Sequence, residues 1–434
     1  MSSMRLRAPT RFAGPLGVPG DKSISHRVVL FSAIAAGTTT IANLNRGADV
    51  QASLNAVRVL GARVDQDGVL VRVTGVARLR DPAQPIDCAN SGTTMRVLAG
   101  ALAGRVNAVL DGDASLRARP MERVAEPLRA MGADVRCSER GTAPIVFTPS
   151  QKQLRGITYE LPIASAQVKT AVLLAGLRAK GATAVISPSH SRDHSELMLS
   201  AMGAAVDVDG LRTTVRPAQL HALDGYAVPG DVSAAAYFIA AATALPGSRI
   251  SVLATGINPT RSAALDVMRD MGAHISIRNL SVQHGEPVAD IEVSSASPLR
   301  NVELDPARVA NVIDEIPLLC ALAATANGSF TVRDAAELRT KESDRIRSTI
   351  ELLRAFGVSV NELPDGIAVR GGRPLRPPLA ISTGGDHRIG LTAAVLAAAA
   401  RAPLVIEDAD CIATSFPDFE RAWHAAFAKE PASA

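Results

Sequence analysis

Leu60-Gly61-Ala62-Arg63-Val64 lies where an amphipathic helical pattern gives way to an apolar strand pattern. Glycine readily adopts the left-handed conformation that ends a helix, so this pentapeptide predicts a helix end followed directly by a strand. The same arrangement recurs at four further places, namely Met131–Val135, Met202–Val206, Met271–Ile275 and Phe356–Val360. Recurrence at intervals of about 70 to 85 residues is typical of a chain built from repeated structural units.

A second pattern alternates with the first and consists of an apolar helix, a turn of small residues and a β-branched strand. Six copies are present, with helices predicted at Val28–Ala36, Met95–Ala103, Val168–Leu177, Ala234–Ala244, Ile316–Ala326 and Leu391–Ala400. Helices that are apolar on all sides are buried ones. A sixth amphipathic helix is predicted at Phe416–Phe427. We therefore expect six repeats of roughly 72 residues, each with two helices and several strands.

Two nearly identical stretches suggest that the six repeats form two groups of three. They are Val18-Pro19-Gly20-Asp21-Lys22-Ser23 and Val228-Pro229-Gly230-Asp231-Val232-Ser233. We interpret them as hinges near Pro19-Gly20 and Pro229-Gly230, with residues 1–19 and 229–434 in lobe I and residues 20–228 in lobe II. The buried helices are then expected to point their N-termini, and with them their dipoles, at a cleft between the lobes.

The composition excludes several classes of protein. Of 434 residues, 47% are hydrophobic, 20% charged and only 3% aromatic, which predicts a globular protein with aliphatic cores. No apolar run fits a membrane span, the N-terminus lacks a signal peptide, and four scattered cysteines indicate reduced thiols in the cytoplasm. A net charge of +4, without a basic tail or interleaved aromatic residues, favours small anionic substrates over nucleic acid.

The stretch Glu337–Ile346, Glu-Leu-Arg-Thr-Lys-Glu-Ser-Asp-Arg-Ile, is densely charged between apolar segments. If a helix starts near Thr340, Lys341 and Arg345 are i,i+4 neighbours and Glu342 lies three residues before Arg345. Two cations and a carboxylate would then meet at a helix N-terminus, which itself favours anions. The alternative is an exposed helix face with ordinary ion pairs.

Similar polar stretches precede other buried helices in the second lobe. Pro19–Arg27 places Lys22, Ser23 and Arg27 at a helix start, and Asp21 before Lys22 argues against a nucleotide-binding P-loop. The others are Asn90–Arg96, Arg117–Pro120 and Pro162–Lys169. Plain helix capping explains each stretch equally well when it is taken alone.

The remaining polar stretches are a histidine pair and the charged residues before two further buried helices. His190 and His194 have the spacing of a metal site, but no HExxH pattern accompanies them and Arg192 is the more useful feature. Asp314-Glu315 precedes the fifth buried helix, and Gly384–Arg388 precedes the sixth. Carboxylates among anion-binding groups are costly unless they transfer protons. Five of the six buried helices thus begin with groups suited to anion binding or proton transfer, and this repetition favours a functional site.

Taken together, these stretches resemble the EPSP synthase (3-phosphoshikimate 1-carboxyvinyltransferase) family over essentially the whole chain. The matching segments are PGDKSISHR, NSGTTMR, RARPM, ASAQVK, SRDHSE, PGDVSAAAYF, DEIP, LRTKESDRI, GDHRIG and ATSFPDF, of which ASAQVK and SRDHSE look most like the bacterial class II branch. The resemblance implies an enolpyruvyl transferase fold: a two-lobed, inside-out α/β barrel of six βαβαββ repeats. It also implies a monomer with no metal and no organic cofactor.

The implied reaction transfers the enolpyruvyl group of phosphoenolpyruvate to the 5-hydroxyl of shikimate 3-phosphate, in the pathway to chorismate and aromatic amino acids. By motif position, the residues implied to bind shikimate 3-phosphate are Lys22, Ser23, Arg27, Ser165, Ala166, Gln167, Arg192, Asp314 and Lys341. Those implied to bind phosphoenolpyruvate are Lys22, Gly92, Arg119, Gln167, Arg345, His387 and Arg388. Asp314 is the implied acceptor of the hydroxyl proton, Glu342 the implied proton donor, and Lys22 the third catalytic residue.

Two features of the chain depart from parts of the family. Thr414 and Glu337 stand where many class I members have lysine and asparagine, which leaves one phosphoenolpyruvate contact without a counterpart. Gly92 stands where class II members that tolerate the inhibitor glyphosate have alanine, so we expect this chain to be more sensitive to glyphosate than those members are.

Two alternative functions are compared with the sequence. The related enolpyruvyl transferase that acts on UDP-N-acetylglucosamine has a loop cysteine five residues before an Arg-Pro, where this chain has Ala114. A non-catalytic anion-binding protein would explain the arginines but not Asp314 and Glu342 among them.

Overall fold

The computed structural model describes residues 2–150 and 152–428 of the chain. These residues form two compact units. Unit 1 contains the chain up to Pro19, Pro229–Val282 and the residues from Pro287 onward, and unit 2 contains Gly20–Val228 with the short segment Gln283–Glu286. That short segment lies at the turn of a hairpin whose two strands belong largely to unit 1.

The elements of unit 2 follow two strands of unit 1, β1 (Ser3–Leu6) and β2 (Ala13–Leu16). The helices of unit 2 are α1 (Lys22–Ser32), α2 (Ala48–Val59), α3 (Gly92–Leu102), α4 (Ala114–Arg117), α5 (Glu122–Ala130), α6 (Ala166–Gly176) and α7 (His194–Ala201). Its strands are β3 (Thr38–Ala42), β4 (Arg63–Asp67), β5 (Leu70–Thr74), β6 (Ile86–Asp87), β7 (Ala108–Asp111), β8 (Asp134–Arg136), β9 (Ile145–Thr148), β10 (Thr158–Glu160), β11 (Thr183–Ile186), β12 (Val206–Asp209), β13 (Arg212–Val215) and β14 (Tyr226–Ala227).

The chain returns to unit 1 at Pro229. Its helices are α8 (Val232–Ala244), α9 (Ala263–Asp270), α10 (Pro306–Val312), α11 (Ile316–Thr325), α12 (Arg345–Ala355), α13 (His387–Ala399) and α14 (Phe419–Ala425), with 3₁₀ helices at Ala336–Thr340 and Ala409–Thr414. Its later strands are β15 (Arg249–Gly256), β16 (His274–Gln283), β17 (Glu286–Ser294), β18 (Ser329–Val332), β19 (Ser359–Leu363), β20 (Gly366–Arg370), β21 (Ala380–Ser382) and β22 (Leu404–Glu407).

The strands within the described ranges form six separate open sheets, three in each unit. In unit 2 the orders are β14-β3-β5-β4, β6-β7-β9-β8 and β10-β11-β13-β12, and in each sheet the first pair is parallel and the others antiparallel. In unit 1 they are β16-β17-β15-β2, β18-β20-β19 and β1-β22-β21. Three of the parallel pairs, β6-β7, β10-β11 and β21-β22, are joined by strand–helix–strand crossovers through the buried helices α3, α6 and α13.

The six helices predicted to be buried are α1, α3, α6, α8, α11 and α13, and their burial is confirmed. Within unit 2, α3 packs against both α1 and α6, and within unit 1, α8, α11 and α13 contact one another. Gly100 permits the close approach of α3 to α6, because a Cβ there would lie 2.1 Å from the carbonyl oxygen of Ala171. These helices form the core of each unit, and the charged residues within them lie in their first two turns.

The glycine-terminated helices are confirmed as well. Gly61, Gly132, Gly203, Gly272 and Gly357 follow α2, α5, α7, α9 and α12 and have φ values of +103°, +98°, +93°, +98° and +74°. An L-residue is strained in this region, which explains why glycine recurs at all five helix ends. No helix in the described part of the chain is both long and apolar enough to cross a membrane.

One local prediction is wrong. The helix expected near Thr340 begins at Arg345 instead, because Asp344 caps it by accepting a hydrogen bond from the backbone N–H of Arg347 at 3.1 Å. Residues 336–340 form a separate 3₁₀ helix, so Lys341 lies before the helix rather than one turn below Arg345.

Candidate active site

In unit 2, the stretch that begins at Pro19 forms the first turn of α1. Asp21 caps the helix by accepting a hydrogen bond from the backbone N–H of Ile24 at 2.9 Å. Lys22 Nζ lies 3.1 Å from Asp49 Oδ2, on the first turn of α2. Lys22 and Ser23 are therefore at a helix N-terminus, where the positive end of the helix dipole favours an anion.

Arg27 follows one turn later and is only 2% exposed. Its guanidinium donates from Nε to Ser195 Oγ at 2.7 Å, from Nη1 to the carbonyl of Ser23 at 2.9 Å, and from Nη2 to Thr170 Oγ1 at 3.3 Å. Burial lowers the pKa of Arg27 to about 10, so the group remains a cation at neutral pH. Arg192 Nη1 also donates to Ser23 Oγ, at 3.2 Å, which brings both arginines to the same serine.

The stretches around Gly92, Arg119 and Gln167 come together in unit 2. Arg119 Nη2 donates to Asn90 Oδ1 at 2.5 Å, and Gln167 Nε2 donates to Thr93 Oγ1 at 2.9 Å. A Cβ on Gly92 would lie 3.5 Å from Arg119 Nη1. These three predicted residues therefore line one region at the start of α3.

Arg96 belongs to the same region and was not selected from the sequence. It is buried, and its Nη1 donates to Gln167 Oε1 at 2.6 Å and lies 3.0 Å from the position of a Cβ on Gly92. The sequence does contain a signal for Arg96, because it is the one charged residue of the otherwise apolar segment Met95–Ala103. A charged side chain in such a segment is rarely buried without a partner.

The start of α6 is simpler. Ser165 is the N-cap, and its Oγ accepts from the backbone N–H of Val168 at 3.4 Å, while Ala166 is the first helical residue. Lys169 in the next turn forms a buried ion pair of 2.5 Å with Glu196 on α7, a pair that the sequence did not reveal. The side chains at this helix start are therefore neutral, and the nearby charge is compensated internally.

In unit 1, Arg345 is the centre of an ion cluster. Its Nε donates to Asp386 Oδ2 at 2.8 Å, its Nη1 donates to Asp314 Oδ1 at 3.2 Å, and its Nη2 donates to Glu342. Burial opposes the charge of Arg345, but Glu342 and Asp386 raise its pKa above the ordinary value. Burial likewise opposes the charge of Asp386, yet Arg345 and His387 hold its pKa below the usual range. The i,i+3 contact between Glu342 and Arg345 expected from the sequence is confirmed.

Arg388 and Lys341 approach the same carboxylate. Arg388 Nη1 donates to the backbone carbonyl of Asp314 at 2.7 Å, and its Nη2 lies 3.8 Å from Asp314 Oδ2. Lys341 Nζ lies 4.0 Å from Asp314 Oδ1 and 2.8 Å from Glu337 Oε1. Despite burial, Asp314 and other nearby groups raise the pKa of Arg388 well above its ordinary value. Asp314 thus has three cations within 4.0 Å.

His387 is the first residue of α13, whose N-cap is Asp386. The Nδ1 atom of His387 lies 4.0 Å from Asp386 Oδ1. Asp386 therefore caps this helix, through its bond from the N–H of Arg388 at 3.0 Å, and also holds the side chain of Arg345.

The histidine spacing at 190 and 194 does not form a metal site among the described residues, which contain no group of three or more His, Cys, Asp or Glu suited to a metal ion. His194 Nδ1 instead lies 2.6 Å from Glu286 Oε1, and both side chains are buried. Thr414 Oγ1 donates to the carbonyl of Cys411 at 2.7 Å within a 3₁₀ helix.

Each unit therefore has its own chemistry. Unit 2 presents cations and helix N-termini that can bind phosphate or carboxylate groups. Unit 1 presents cations together with two carboxylates, Asp314 and Glu342, that share one buried arginine. Carboxylates held in this way can accept and donate protons at a bound substrate.

Comparison with known proteins agrees with this arrangement. The family model of EPSP synthase (3-phosphoshikimate 1-carboxyvinyltransferase) matches residues 6–423. A protein of that name from an Anaeromyxobacter species is 46% identical over 417 residues, covering 96% of each chain, and one from Citrifermentans bemidjiense is 44% identical over 424 residues, covering 96% and 98%.

Solved structures give the same result for the fold. EPSP synthase from Acinetobacter baumannii superposes with a TM-score of 0.88 at 38% identity, covering 98% of both chains. The enolpyruvyl transferase NikO from Streptomyces tendae has a TM-score of 0.77 at 18% identity, with 98% coverage of both, and supports the fold alone. The expected enolpyruvyl transferase fold is confirmed.

Proposed function

Because this chain belongs to the EPSP synthase family of transferases, we propose that it transfers the enolpyruvyl group of phosphoenolpyruvate to the 5-hydroxyl of shikimate 3-phosphate. The products are 5-enolpyruvylshikimate 3-phosphate and phosphate. The observation that best supports this reaction is the pair of carboxylates, Asp314 and Glu342, bonded to the one buried guanidinium of Arg345. A protein that only binds anions would gain nothing from two carboxylates among its cations.

The proposed chemistry consists of an addition followed by an elimination. The oxygen of the 5-hydroxyl attacks C2 of phosphoenolpyruvate while Asp314 accepts the proton of that hydroxyl. Glu342 donates a proton to C3, and the product of this addition is a tetrahedral intermediate. Loss of phosphate and of a proton from the new methyl group then restores the enol double bond. Arg345 and Arg388 stabilise the negative charge of phosphoenolpyruvate, because fixed cations lose little reorganisation energy as charge develops.

The proposed role of unit 2 is to bind the anionic groups of the substrates. Its residues for shikimate 3-phosphate are Lys22, Ser23, Arg27, Ser165, Ala166, Gln167 and Arg192, and those for phosphoenolpyruvate are Lys22, Gly92, Arg119 and Gln167. Unit 1 adds Asp314 and Lys341 for shikimate 3-phosphate, and Arg345, His387 and Arg388 for phosphoenolpyruvate. The helix N-termini at Lys22, Gly92 and Ala166 support this assignment, since the positive end of each helix dipole lies there.

We also propose that the enzyme works as a cytoplasmic monomer and that glyphosate competes with phosphoenolpyruvate. The four cysteines are free thiols, as a reducing compartment requires.

Phosphate release tests the proposed reaction. We expect release only when shikimate 3-phosphate and phosphoenolpyruvate are both present, and no release with either compound alone. Replacing shikimate 3-phosphate by UDP-N-acetylglucosamine should abolish release. Turnover with the sugar nucleotide instead would assign the chain to the related transferase, and tight binding of both substrates without turnover would make it an anion-binding protein.

A further inference from the structure

Of the six buried helices, α8 is the one that has no assigned substrate group either in its first turn or in the residues just before it. Asp231 caps it by accepting hydrogen bonds from the backbone N–H groups of Ser233 at 2.8 Å and Ala234 at 3.4 Å. The buried Arg261 donates from Nη2 to Ser233 Oγ at 2.8 Å, and the same nitrogen lies 3.3 Å from Asp231 Oδ1. This first turn is therefore tied into a buried ion cluster of unit 1.

Ser233 connects that cluster to Glu315. The hydroxyl of Ser233 donates to Glu315 Oε1 at 2.5 Å, and Glu315 is only 3% exposed at the N-cap position of α11. A buried carboxylate is costly unless it is hydrogen-bonded and paired with a cation. The cation paired with it is Arg388, whose Nη1 donates to the same Oε1 at 3.1 Å.

The geometry of Arg388 shows what this pairing does. Nη1 donates to two acceptors, Glu315 Oε1 at 3.1 Å and the carbonyl of Asp314 at 2.7 Å. Because the guanidinium is planar, two bonds from one nitrogen set the plane of the group and the directions of its other N–H bonds. A cation that recognises a planar carboxylate or a phosphate needs this fixed orientation.

We propose that Glu315 is a positioning residue that orients Arg388, and that the first turn of α8, through Ser233, keeps the Glu315 carboxylate directed at the guanidinium. The inference rests on the proposed function in one respect only, namely that Arg388 binds phosphoenolpyruvate. Glu315 itself contacts no substrate. The first turn of α8 thus helps to orient Arg388 through contacts within unit 1.

Glu315→Gln tests this role, because the amide keeps the shape of the side chain and removes its charge. With shikimate 3-phosphate saturating, we expect KM for phosphoenolpyruvate to rise roughly tenfold, as for the loss of one charge-assisted hydrogen bond, with kcat much less affected. Binding of shikimate 3-phosphate alone, measured by calorimetry, should not change. Ser233→Ala should raise the same KM by a smaller factor, and Ser233→Thr should restore it.

A double-mutant cycle separates positioning from stability. In an Arg388→Ala background, Glu315→Gln should have no further effect on phosphoenolpyruvate binding, since there is no guanidinium left to orient. Glu286→Gln is the matched control, because it removes the charge of another buried carboxylate, the partner of His194, which belongs to unit 2 whereas Arg388 belongs to unit 1. It should lower the unfolding temperature without raising KM for phosphoenolpyruvate.

The outcomes distinguish this inference from the proposed function. If KM is unchanged in Glu315→Gln, if both ligands weaken equally, or if the effects of Glu315→Gln and Arg388→Ala add, Glu315 does not position Arg388. If wild-type protein releases no phosphate, the proposed reaction is wrong, and calorimetric binding of phosphoenolpyruvate in the presence of shikimate 3-phosphate still decides the role of Glu315.

Discussion

The buried arginines of the two units are held in position by different kinds of groups. In unit 2, Arg27 is oriented by two hydroxyls and a backbone carbonyl, and Arg96 by the amide of Gln167. In unit 1, Arg345 and Arg388 are held chiefly by carboxylates, from Asp386, Asp314, Glu342 and Glu315. Neutral acceptors fix a guanidinium without cancelling its charge, whereas carboxylates cancel much of it.

This difference has a consequence for what each unit can bind. Burial lowers the pKa of Arg27 to about 10, so its charge is poorly compensated and a bound anion relieves it. The carboxylates around Arg345 raise its pKa despite burial. We therefore expect unit 2 to contribute mainly binding free energy and unit 1 mainly proton transfer.

The largest expected effect is on catalysis, from the carboxylates of unit 1. Asp314→Asn and Glu342→Gln should each reduce kcat by about 10²–10⁴, since positioned acid–base groups contribute on that scale. Steady-state phosphate release measures the effect, and Glu351→Gln, at an exposed carboxylate paired with Arg347, is the control that should retain wild-type turnover. A variant with near-normal kcat would remove that carboxylate from proton transfer.

The next largest effect should be on binding, from the buried Arg27 of unit 2. Arg27→Ala should weaken shikimate 3-phosphate by roughly ten- to a hundredfold, because a charge-assisted hydrogen bond is worth about 1.5–3 kcal/mol. Calorimetry measures the affinity, and Arg63→Ala, at an arginine 76% exposed on β4, should leave it unchanged. Equal affinity in Arg27→Ala and wild type would contradict the division of roles between the units.

A smaller effect is expected from one methyl group at the start of α3. In Gly92→Ala the new Cβ would lie 3.0 Å from Arg96 Nη1, so the guanidinium of Arg96 must shift and its bond to Gln167 is disturbed. We expect glyphosate, the longer ligand, to lose about 1–3 kcal/mol more binding free energy than phosphoenolpyruvate. Inhibition constants and KM on both proteins measure this; equal losses for the two ligands, or none, would show that Gly92 does not discriminate between them.

The smallest effect concerns the pH dependence of stability. His26 lies in α1 beside Arg27, and its Nδ1 is 2.8 Å from Ser53 Oγ. Burial, with Lys22 and Arg27 nearby, holds the pKa of His26 well below 6.5. Below about pH 6.5 the unfolded chain takes up a proton that the folded chain does not, so stability should fall as the pH is lowered from 7.

His26→Asn should remove this loss, which amounts to at most about 1.4 kcal/mol per pH unit for one proton. Urea unfolding at about pH 7 and pH 5.5 measures it. His274→Asn, at an exposed histidine of unit 1, should keep the pH dependence of the wild type. A His26→Asn curve parallel to that of the wild type would mean that His26 does not control this pH response.

Local signals in the sequence predicted much of the fold. Gly61 and its four counterparts mark helix ends because only glycine tolerates their backbone conformation, and the apolar helices are buried because they have no polar face. The same stretches predicted which helix starts are polar. The start of α12 was misplaced because the cap is Asp344, whereas Thr340 and Ser343 in the same stretch are also residue types that cap helices.

The supporting residues could not be predicted in the same way. Ser195, Arg96 and Glu315 act through partners distant in the sequence, and nothing local distinguishes Ser195 from any other buried serine. Whether Arg27 is buried or exposed also depends on its hydrogen-bond partners Thr170 and Ser195, which are distant in the sequence and adjacent in the fold. Such contacts depend on packing, which periodicity alone does not specify.

The pairing of β1 with β22 also affects how the chain is synthesised. Ser3 lies opposite Glu407, so the first strand leaves the ribosome long before its partner exists. All strands of the three sheets of unit 2, from β3 to β14, are by contrast made in one continuous segment. On a chain elongating at about 5–20 residues per second, unit 2 can complete its sheets before the partners of β1 and β2 are synthesised. During this time β1 and β2 are unpaired strands, which a chaperone or a neighbouring chain can bind.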